Sequence, residues 1–163
     1  MKTLILFGSS RRNGNAGKIA DYMNKEYNYD IIDLNDYKFG YFDYENKNAN
    51  DDFLPLMKKI VTYDHIIFLS PVYWYSMSAI MKTFFDRITD LMKWHKDLGR
   101  LLRGKKMSVI SNGRDDTFHL CFFPAFEKSA NYLGMTYAGG IHSFLENDTI
   151  PDIVRNRIRT LIE

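Results

Sequence analysis

The chain has 163 residues, of which 45% are hydrophobic and 26% charged, as in one globular domain with a full core. Its formal net charge of +2 argues against nucleic-acid binding, and its one cysteine, Cys121, excludes a disulfide framework and a cysteine-based metal site. Leu120 and Phe122 flank that cysteine, so we expect a buried structural thiol. No stretch resembles a secretory signal or has the length of a membrane span, which predicts a cytoplasmic protein without a membrane partner.

Apolar residues alternate between strand and helix periodicity along the whole chain. Short apolar runs predict strands at Thr3–Phe7, Tyr29–Leu34, Asp64–Ser70, Lys105–Ser111 and Met135–Gly140. Helical spacing predicts helices over Asn15–Glu26, from Asp51 or Asp52 to Val61, and over Met77–Met92, Phe118–Leu133 and Thr149–Ile162. This alternation predicts an α/β fold: a single three-layer domain over residues 1–163, with a doubly wound, five-stranded parallel sheet in the flavodoxin-like order 2-1-3-4-5.

The loop after the first strand has the composition of an anion-binding site. Small and polar residues with two arginines follow the apolar run at Gly8, and a helical pattern begins near Asn15. Backbone N–H groups and the positive end of the helix dipole would converge there. The spacing fits neither a dinucleotide fingerprint nor a Walker A loop. We therefore expect a cofactor phosphate at this loop, with an ordinary capped strand–helix turn as the alternative.

The loop after the third strand contains three consecutive aromatic residues, Tyr73-Trp74-Tyr75. Side chains alternate along a strand, so such a run suits a loop that lies against a flat heterocycle. Pro71 would fix this loop, and Ser76 or Ser78 would cap the next helix. An aromatic core cluster or a dimer contact is the alternative. In the predicted strand order this loop shares one crevice with the first loop, which favours a cofactor site.

These stretches resemble the flavodoxin-like NAD(P)H-dependent FMN reductase and quinone reductase superfamily. Gly8–Asn15, Ser70–Ala79 and Lys82–Arg87 carry the resemblance. It implies bound FMN as the cofactor and NADPH or NADH as the co-substrate. It also implies a small-molecule electron acceptor, such as a quinone, a second flavin, an azo compound or a nitro compound. The cofactor would carry the chemistry, so the resemblance implies neither a catalytic side chain nor a metal.

The resemblance assigns cofactor contacts to three loops. It implies that the phosphate binds to Ser9, Arg11, Gly14, Asn15 and Ala16. It implies that the isoalloxazine ring is held by Pro71, Val72, Tyr73, Trp74, Tyr75 and Ser76. The loop after the fourth strand, which lacks the glycine run of many relatives, would border the ring through Ser111, Asn112 and Gly113. The Asp86-Arg87 pair matches a recurrent feature of the family that we interpret as structural.

Three other classes of protein stay open from the residues alone. A flavodoxin-type electron carrier has the same fold but is usually strongly acidic, whereas this chain has 22 Lys and Arg against 20 Asp and Glu. A flavin-binding sensor would hold FMN without turnover. A phosphate- or nucleotide-binding protein would hold no flavin at all. Reduction of a bound flavin by NAD(P)H would separate a reductase from all three.

Individual polar residues have weaker predicted roles. His119, and less so His95, is a candidate proton donor to the acceptor, but a surface or helix-capping position is favoured for both. Arg12, Arg114 and Lys96 are candidate contacts for the 2′-phosphate that distinguishes NADPH from NADH.

The aromatic content also bears on assembly. Together with the amphipathic helix over Met77–Met92 it predicts a homodimer, with Trp94–Gly99 as a lid or a dimer loop. The tyrosine-rich loop Asn35–Asn50 has no assigned role.

Overall fold

A computed structural model describes residues 1–163 and contains one sheet of five parallel strands. The strands are β1 (Thr3–Phe7), β2 (Asp30–Asp33), β3 (His65–Pro71), β4 (Lys106–Asn112) and β5 (Thr136–Ser143). Their order is β2-β1-β3-β4-β5, which confirms the order predicted from the sequence. β1 pairs with β2 on one side and with β3 on the other, so the chain changes direction across the sheet between β1 and β3. The carboxyl ends of these two strands therefore border one crevice.

Helices cover both faces of the sheet. They are α1 (Asn15–Tyr27), α2 (Phe53–Ile60), α3 (Ala79–Lys93), α4 (Lys96–Arg100), α5 (Pro124–Leu133) and α6 (Asp152–Ile162). Short 3₁₀ turns span Leu34–Asp36 and Leu120–Phe122. None of the helices is both long enough and apolar enough to cross a lipid bilayer.

The two faces of the sheet bury two separate hydrophobic clusters. Side chains alternate along β1, so Leu4 and Leu6 pack against α2, α3 and α5, whereas Ile5 and Phe7 pack against α1 and α6. All of β1 is buried, which explains why its sequence is a continuous apolar run rather than an alternating one. The sheet is thus sandwiched between two helical layers, as predicted.

The helix predicted from Phe118 begins instead at Pro124. Proline has no N–H and clashes with the preceding turn, so it is accepted in the first turn of a helix and excludes a helix that runs through it. The residues before it form a loop and a 3₁₀ turn, in which Phe122 and Phe123 face the core. Cys121 points to solvent, so the prediction of a buried thiol was wrong.

β5 continues to Ser143, three residues beyond its predicted end at Gly140. Glycines usually weaken strands, but here each has a structural reason to be present. Gly139 has a positive φ of 99°, and a Cβ on Gly140 would lie 2.4 Å from the ring of Phe123. The extension places His142 and Ser143 beside the end of β4.

Arg87, in α3, binds the tyrosine-rich loop Asn35–Asn50. Its side chain is 1% exposed and donates hydrogen bonds to Asp51 and Asp90 and to the backbone carbonyls of Gly40 and Asn48. The guanidinium also lies over the ring of Phe53, 4.8 Å from its centroid. This agrees with the structural role expected for Arg87.

Candidate functional site

A cavity of about 330 Å³ opens at the carboxyl edge of the sheet, where the loops after β1, β3 and β4 meet. It is lined by Ser9, Arg11, Gly14, Asn15, Ala16, Pro71, Val72, Tyr73, Asn112, Gly113 and Arg114. The fold therefore gathers residues from all three predicted loops. Four predicted residues do not line the cavity, namely Trp74, Tyr75, Ser76 and Ser111.

The amino terminus of α1 provides the anion-binding end of the cavity. Gly14 occupies the N-cap position without a side chain, and the first hydrogen bond of the helix runs from Lys18 N–H to Gly14 O. The N–H groups of the three residues in between therefore have no partner in the helix. The first turn contains no acidic residue. These free donors, added to the helix dipole, would attract an anion.

The two arginines of the first loop have different positions. Arg12 forms an ion pair with Asp21 and donates to the carbonyl of Gly17, 3.2 Å away. Arg11 is exposed, has no carboxylate partner and lines the cavity. A Cβ on Gly17 would lie 1.7 Å from Arg12 O, so only glycine permits the loop to fold back onto the helix. Of these two arginines, Arg11 is the one available to a ligand.

The aromatic run after β3 forms a strained turn. Tyr73 and Ser76 exchange backbone hydrogen bonds of 2.9 and 3.1 Å, and the two residues between them, Trp74 and Tyr75, have φ angles of 49° and 66°. Two positive φ values are typical of a type I′ turn, which normally contains Asn or Gly. An aromatic residue in this region costs about 1–2 kcal/mol. Trp74 is nevertheless 94% exposed, so burial of its side chain does not explain the strain there.

Side-chain contacts hold this turn at the mouth of the cavity. The Tyr73 hydroxyl lies 2.8 Å from the Ser10 hydroxyl, which joins the first loop to the turn. The ring of Tyr75 meets His119 edge to face at a centroid distance of 5.3 Å. Cys121 Sγ lies 3.6 Å from the Tyr75 carbonyl. His119 is therefore a contact of the turn, and Ser78, not Ser76, caps α3 by accepting from Met81 N–H at 3.3 Å.

The end of β4 is a buried polar scaffold beneath the third loop. Ser111 is 1% exposed and bonds to His142 Nδ1 at 2.8 Å, away from the cavity. Asn112 donates to the carbonyl and hydroxyl of Ser143, while its own carbonyl accepts from Val72 N–H at 2.9 Å. These side chains fix the backbone that Gly113 presents to the cavity. His142 and Ser143 were missed because the predicted strand ended before them.

Charged groups anchor the rest of the third loop. An ion pair with Arg157 on α6 lowers the pKa of the Asp116 carboxyl. Hydrogen bonds from Thr117 lower the pKa of Asp115. Arg114, between Gly113 and these acids, lines the cavity and forms no ion pair or side-chain hydrogen bond. Of the three candidates for a 2′-phosphate contact, Arg114 alone is free at the cavity.

The remaining candidate, Lys96, lies in α4 at the opposite edge of the sheet. α3 starts at the carboxyl end of β3 and crosses back toward the start of β4, so the segment after it is remote from the cavity. The predicted lid, Trp94–Gly99, is largely this short helix and cannot cover the cavity of its own chain. A role for it in a dimer stays a prediction.

Comparison with known proteins supports one family. The sequence profile of the family described as NADPH-dependent FMN reductase matches residues 1–147. YwqN of Bacillus subtilis (strain 168), whose name places it among NAD(P)H-dependent FMN-containing oxidoreductases, is 25% identical over 171 residues, covering 96% of this chain and 91% of that protein.

Solved structures share the fold. The Trp repressor binding protein from Bacillus subtilis has a TM-score of 0.70 at 21% identity, with 99% of this chain and 95% of that chain covered. An NADPH-quinone reductase from P. pentosaceus has a TM-score of 0.68 at 21% identity, with 99% and 94% covered. At this level of identity the likeness establishes the architecture alone.

Proposed function

The chain belongs to the NADPH-dependent FMN reductase family, and we propose that it passes reducing equivalents from NAD(P)H through FMN to a small organic acceptor such as a quinone, a flavin, an azo compound or a nitro compound. One observation carries the proposal for the site. The amino terminus of α1, with three free N–H groups, and a strained aromatic turn meet at a single cavity at the switch point of the sheet. FMN, when bound, supplies the two-electron redox chemistry that the side chains lack.

The first loop would hold the phosphate of FMN. The donor set suits a dianion, because it combines backbone N–H groups, the Ser9 hydroxyl and the Arg11 guanidinium with no neighbouring carboxylate in the helix turn. Asn15 and Ala16 would contribute their backbone N–H groups, and Gly14 would permit close approach of the phosphate to the backbone. Arg12 would support the loop without touching the ligand.

The second and third loops would hold the isoalloxazine ring. Pro71, Val72 and Tyr73 line the cavity beside Asn112 and Gly113, and the Val72 N–H donates to the Asn112 carbonyl at 2.9 Å. The exposed Trp74-Tyr75 turn stands at its mouth, where an aromatic face can stack on the ring or on the nicotinamide. Ser76 and Ser111 would act through the backbone they fix. The open mouth would let nicotinamide and acceptor bind in turn at the same face of the ring.

Arg114 favours NADPH over NADH as the reductant. Its guanidinium is unpaired, exposed and next to the cavity, so it can reach a 2′-phosphate at the mouth. Arg114→Gln would then raise KM for NADPH about tenfold or more, because a charge-assisted contact is lost, and leave KM for NADH within about twofold. An equal change in both values would assign Arg114 to another role.

The test of the proposed function is an anaerobic titration of the FMN-loaded protein followed by absorbance. Bleaching of the bound-flavin bands by NADPH or NADH, and their return on addition of a quinone, is the expected result. Bound flavin that neither nucleotide bleaches would indicate an electron carrier or a sensor. A protein that acquires no flavin bands with FMN would overturn the assignment of all three loops.

We also propose that the protein forms a homodimer through the face formed by α3 and α5. An apolar hollow of about 500 Å³ lies between these helices, and Tyr132 at its rim is 78% exposed. Such a surface on a chain of this size is typical of an interface. Light scattering at micromolar concentration is expected to give twice the mass of the chain, and a monomer would reject the dimer.

A further inference from the structure

His142 lies behind the cavity and no part of the proposed chemistry uses it. Its side chain is 2% exposed, and its ring is bonded through both nitrogens. Nε2 lies 2.8 Å from the carbonyl oxygen of Asp115, and Nδ1 lies 2.8 Å from the hydroxyl of Ser111. A carbonyl oxygen only accepts, so Nε2 carries a hydrogen and donates to Asp115. That bond forms in either protonation state of the ring, because Nε2 is protonated in both.

The ring of His142 also supports the residue that lines the cavity. A Cβ on Gly113 would lie 2.7 Å from His142 Cε1 and 2.8 Å from Nε2, so the imidazole is packed against the Gly113 backbone. Gly113 N–H in turn donates to Ser143 O at 2.9 Å. His142 therefore touches the third loop at two points, the Cα of Gly113 and the carbonyl of Asp115.

Arg114 lies between those two points. No side-chain hydrogen bond or ion pair holds it, so its backbone position is set by its neighbours. The ion pair of Asp116 with Arg157 anchors the loop farther along. His142 contacts the loop on both sides of Arg114, at Gly113 and at Asp115.

We infer that His142 is a positioning residue for the cofactor: from the end of β5 it sets where Gly113 and Arg114 stand at the cavity and thereby sets the affinity for FMN. This inference rests on the proposed function, which places FMN in that cavity. His142 acts through the backbone of the loop and touches no reacting atom. Preorganised loops bind ligands more tightly because less ordering remains to be done on binding.

The test compares substitutions at His142 with a matched control at His65. His65 is also a fully buried strand histidine bonded to a serine, with Nε2 2.9 Å from Ser108 Oγ, but it lies at the opposite edge of the sheet. FMN dissociation constants are measured by flavin fluorescence, and hydrogen exchange of residues 113–117 is measured in the FMN-free protein. Melting temperatures are recorded for every variant.

His142→Phe keeps a ring against Gly113 and loses the hydrogen bonds to the Asp115 carbonyl and the Ser111 hydroxyl. We expect FMN binding to weaken about tenfold, the factor that corresponds to loss of the single bond that reaches the loop, and exchange in the loop to accelerate. His142→Gln retains a donor near Nε2 and is expected to stay within about threefold of the wild type. His65→Phe is expected to lower the melting temperature while leaving FMN affinity unchanged.

Wild-type affinity in His142→Phe, or equal weakening by His142→Phe and His65→Phe, would overturn the inference. If His142→Phe does not fold, the inference is tested by comparing FMN binding of the variant Gly113→Ala with that of the double variant Gly113→Ala/His142→Ala. The added methyl group collides with the imidazole, so removal of the ring should restore FMN binding at least partly, and no restoration counts against the inference. A wild-type protein that binds no FMN would instead defeat the proposed function, while the exchange data would still report whether His142 fixes the loop.

Discussion

Two aromatic-rich segments of this chain look alike in sequence and differ in structure. The turn Tyr73–Ser76 is closed by two backbone hydrogen bonds, has two aromatic residues at positive φ and stands at the cavity. The segment 38–52 is tied down at several points: Asp52 and Asp51 accept from the N–H groups of Lys38 and Gly40, and Arg87 binds two of its carbonyls. The turn is strained and lies beside the cavity, whereas the segment 38–52 is held in place by hydrogen bonds.

Exposure alone does not separate these two segments. Tyr44 in the second is 80% exposed and Tyr75 in the first is 61% exposed. What separates them is that the turn has aromatic residues at positive φ, whereas the segment 38–52 is bonded to the buried side chain of Arg87. Strain that packing does not explain points to function, whereas a segment bonded to a buried charge points to stability.

The largest effect expected from this comparison is on stability, at Arg87. Arg87→Met would leave Asp51 and Asp90 without their cation, and loss of one partner of a buried ion pair destabilises by about 3–5 kcal/mol. Urea unfolding would measure this loss. Lys82→Met is the control, because the exposed Lys82–Asp86 pair contributes only about 0.3–0.5 kcal/mol. The FMN affinity of the folded Arg87→Met protein should not change. A large change would contradict the interpretation that the segment 38–52 has only a structural role.

The next effect is on ligand binding, at Arg11. Arg11→Met would weaken FMN binding by about tenfold to a hundredfold, because a charge-assisted contact to the phosphate is lost. Binding of riboflavin, which has no phosphate, should be unchanged. Arg12→Met removes a neighbouring arginine that already has Asp21 as its partner and should change FMN affinity by less than about threefold. Equal losses for the two variants would show that the loop binds differently from the proposal.

The sequence predicted the strands and the three cavity loops because both depend on local patterns, and it predicted the strand order because five strands alternating with helices suit the flavodoxin-like fold. Apolar runs define buried parallel strands, and the carboxyl ends of neighbouring strands meet wherever the order reverses. It did not predict that Ser111 turns away from the cavity toward His142, because that depends on the register between β4 and β5. A bulge between Met107 and Val109 shifts this register, and no local pattern indicates it.

The exposed thiol was missed for a related reason. Neighbouring aromatic residues predicted burial at Cys121, but Pro124 ends any helix that would run through the segment, and the resulting 3₁₀ turn rotates Phe122 and Phe123 inward instead. The sequence also did not predict the strain at Trp74 and Tyr75, since strain is a property of backbone angles rather than of residue type.

A smaller effect on stability is expected at the aromatic turn, where Trp74→Gly tests whether activity depends on this strained turn. Trp74→Gly relieves about 1–2 kcal/mol of strain and loses about 0.5–1 kcal/mol to the flexibility of glycine, so stability should rise slightly, by up to about 1.5 kcal/mol. Activity with NAD(P)H should fall. Asn147→Gly, in the turn where Asn147 and Asp148 also have positive φ, is the matched control and should leave activity intact. Loss of both stability and activity in Trp74→Gly would mean that the turn is structural.

The smallest effect is expected at Tyr44, on the surface of the tied segment. Lys93 Nζ lies 4.9 Å from the centroid of its ring and also contacts Phe42 and Trp94, so the ammonium keeps two aromatic partners when Tyr44 is removed. An exposed cation–π contact contributes about 0.5–1 kcal/mol, and Tyr44→Ala should lose no more than this in urea unfolding. The turn variant Trp74→Gly and the segment variant Tyr44→Ala thus change stability in opposite directions. Only Trp74→Gly should change turnover. Impaired turnover in Tyr44→Ala would show that the tyrosine-rich segment has a functional role in addition to its bonds with Arg87.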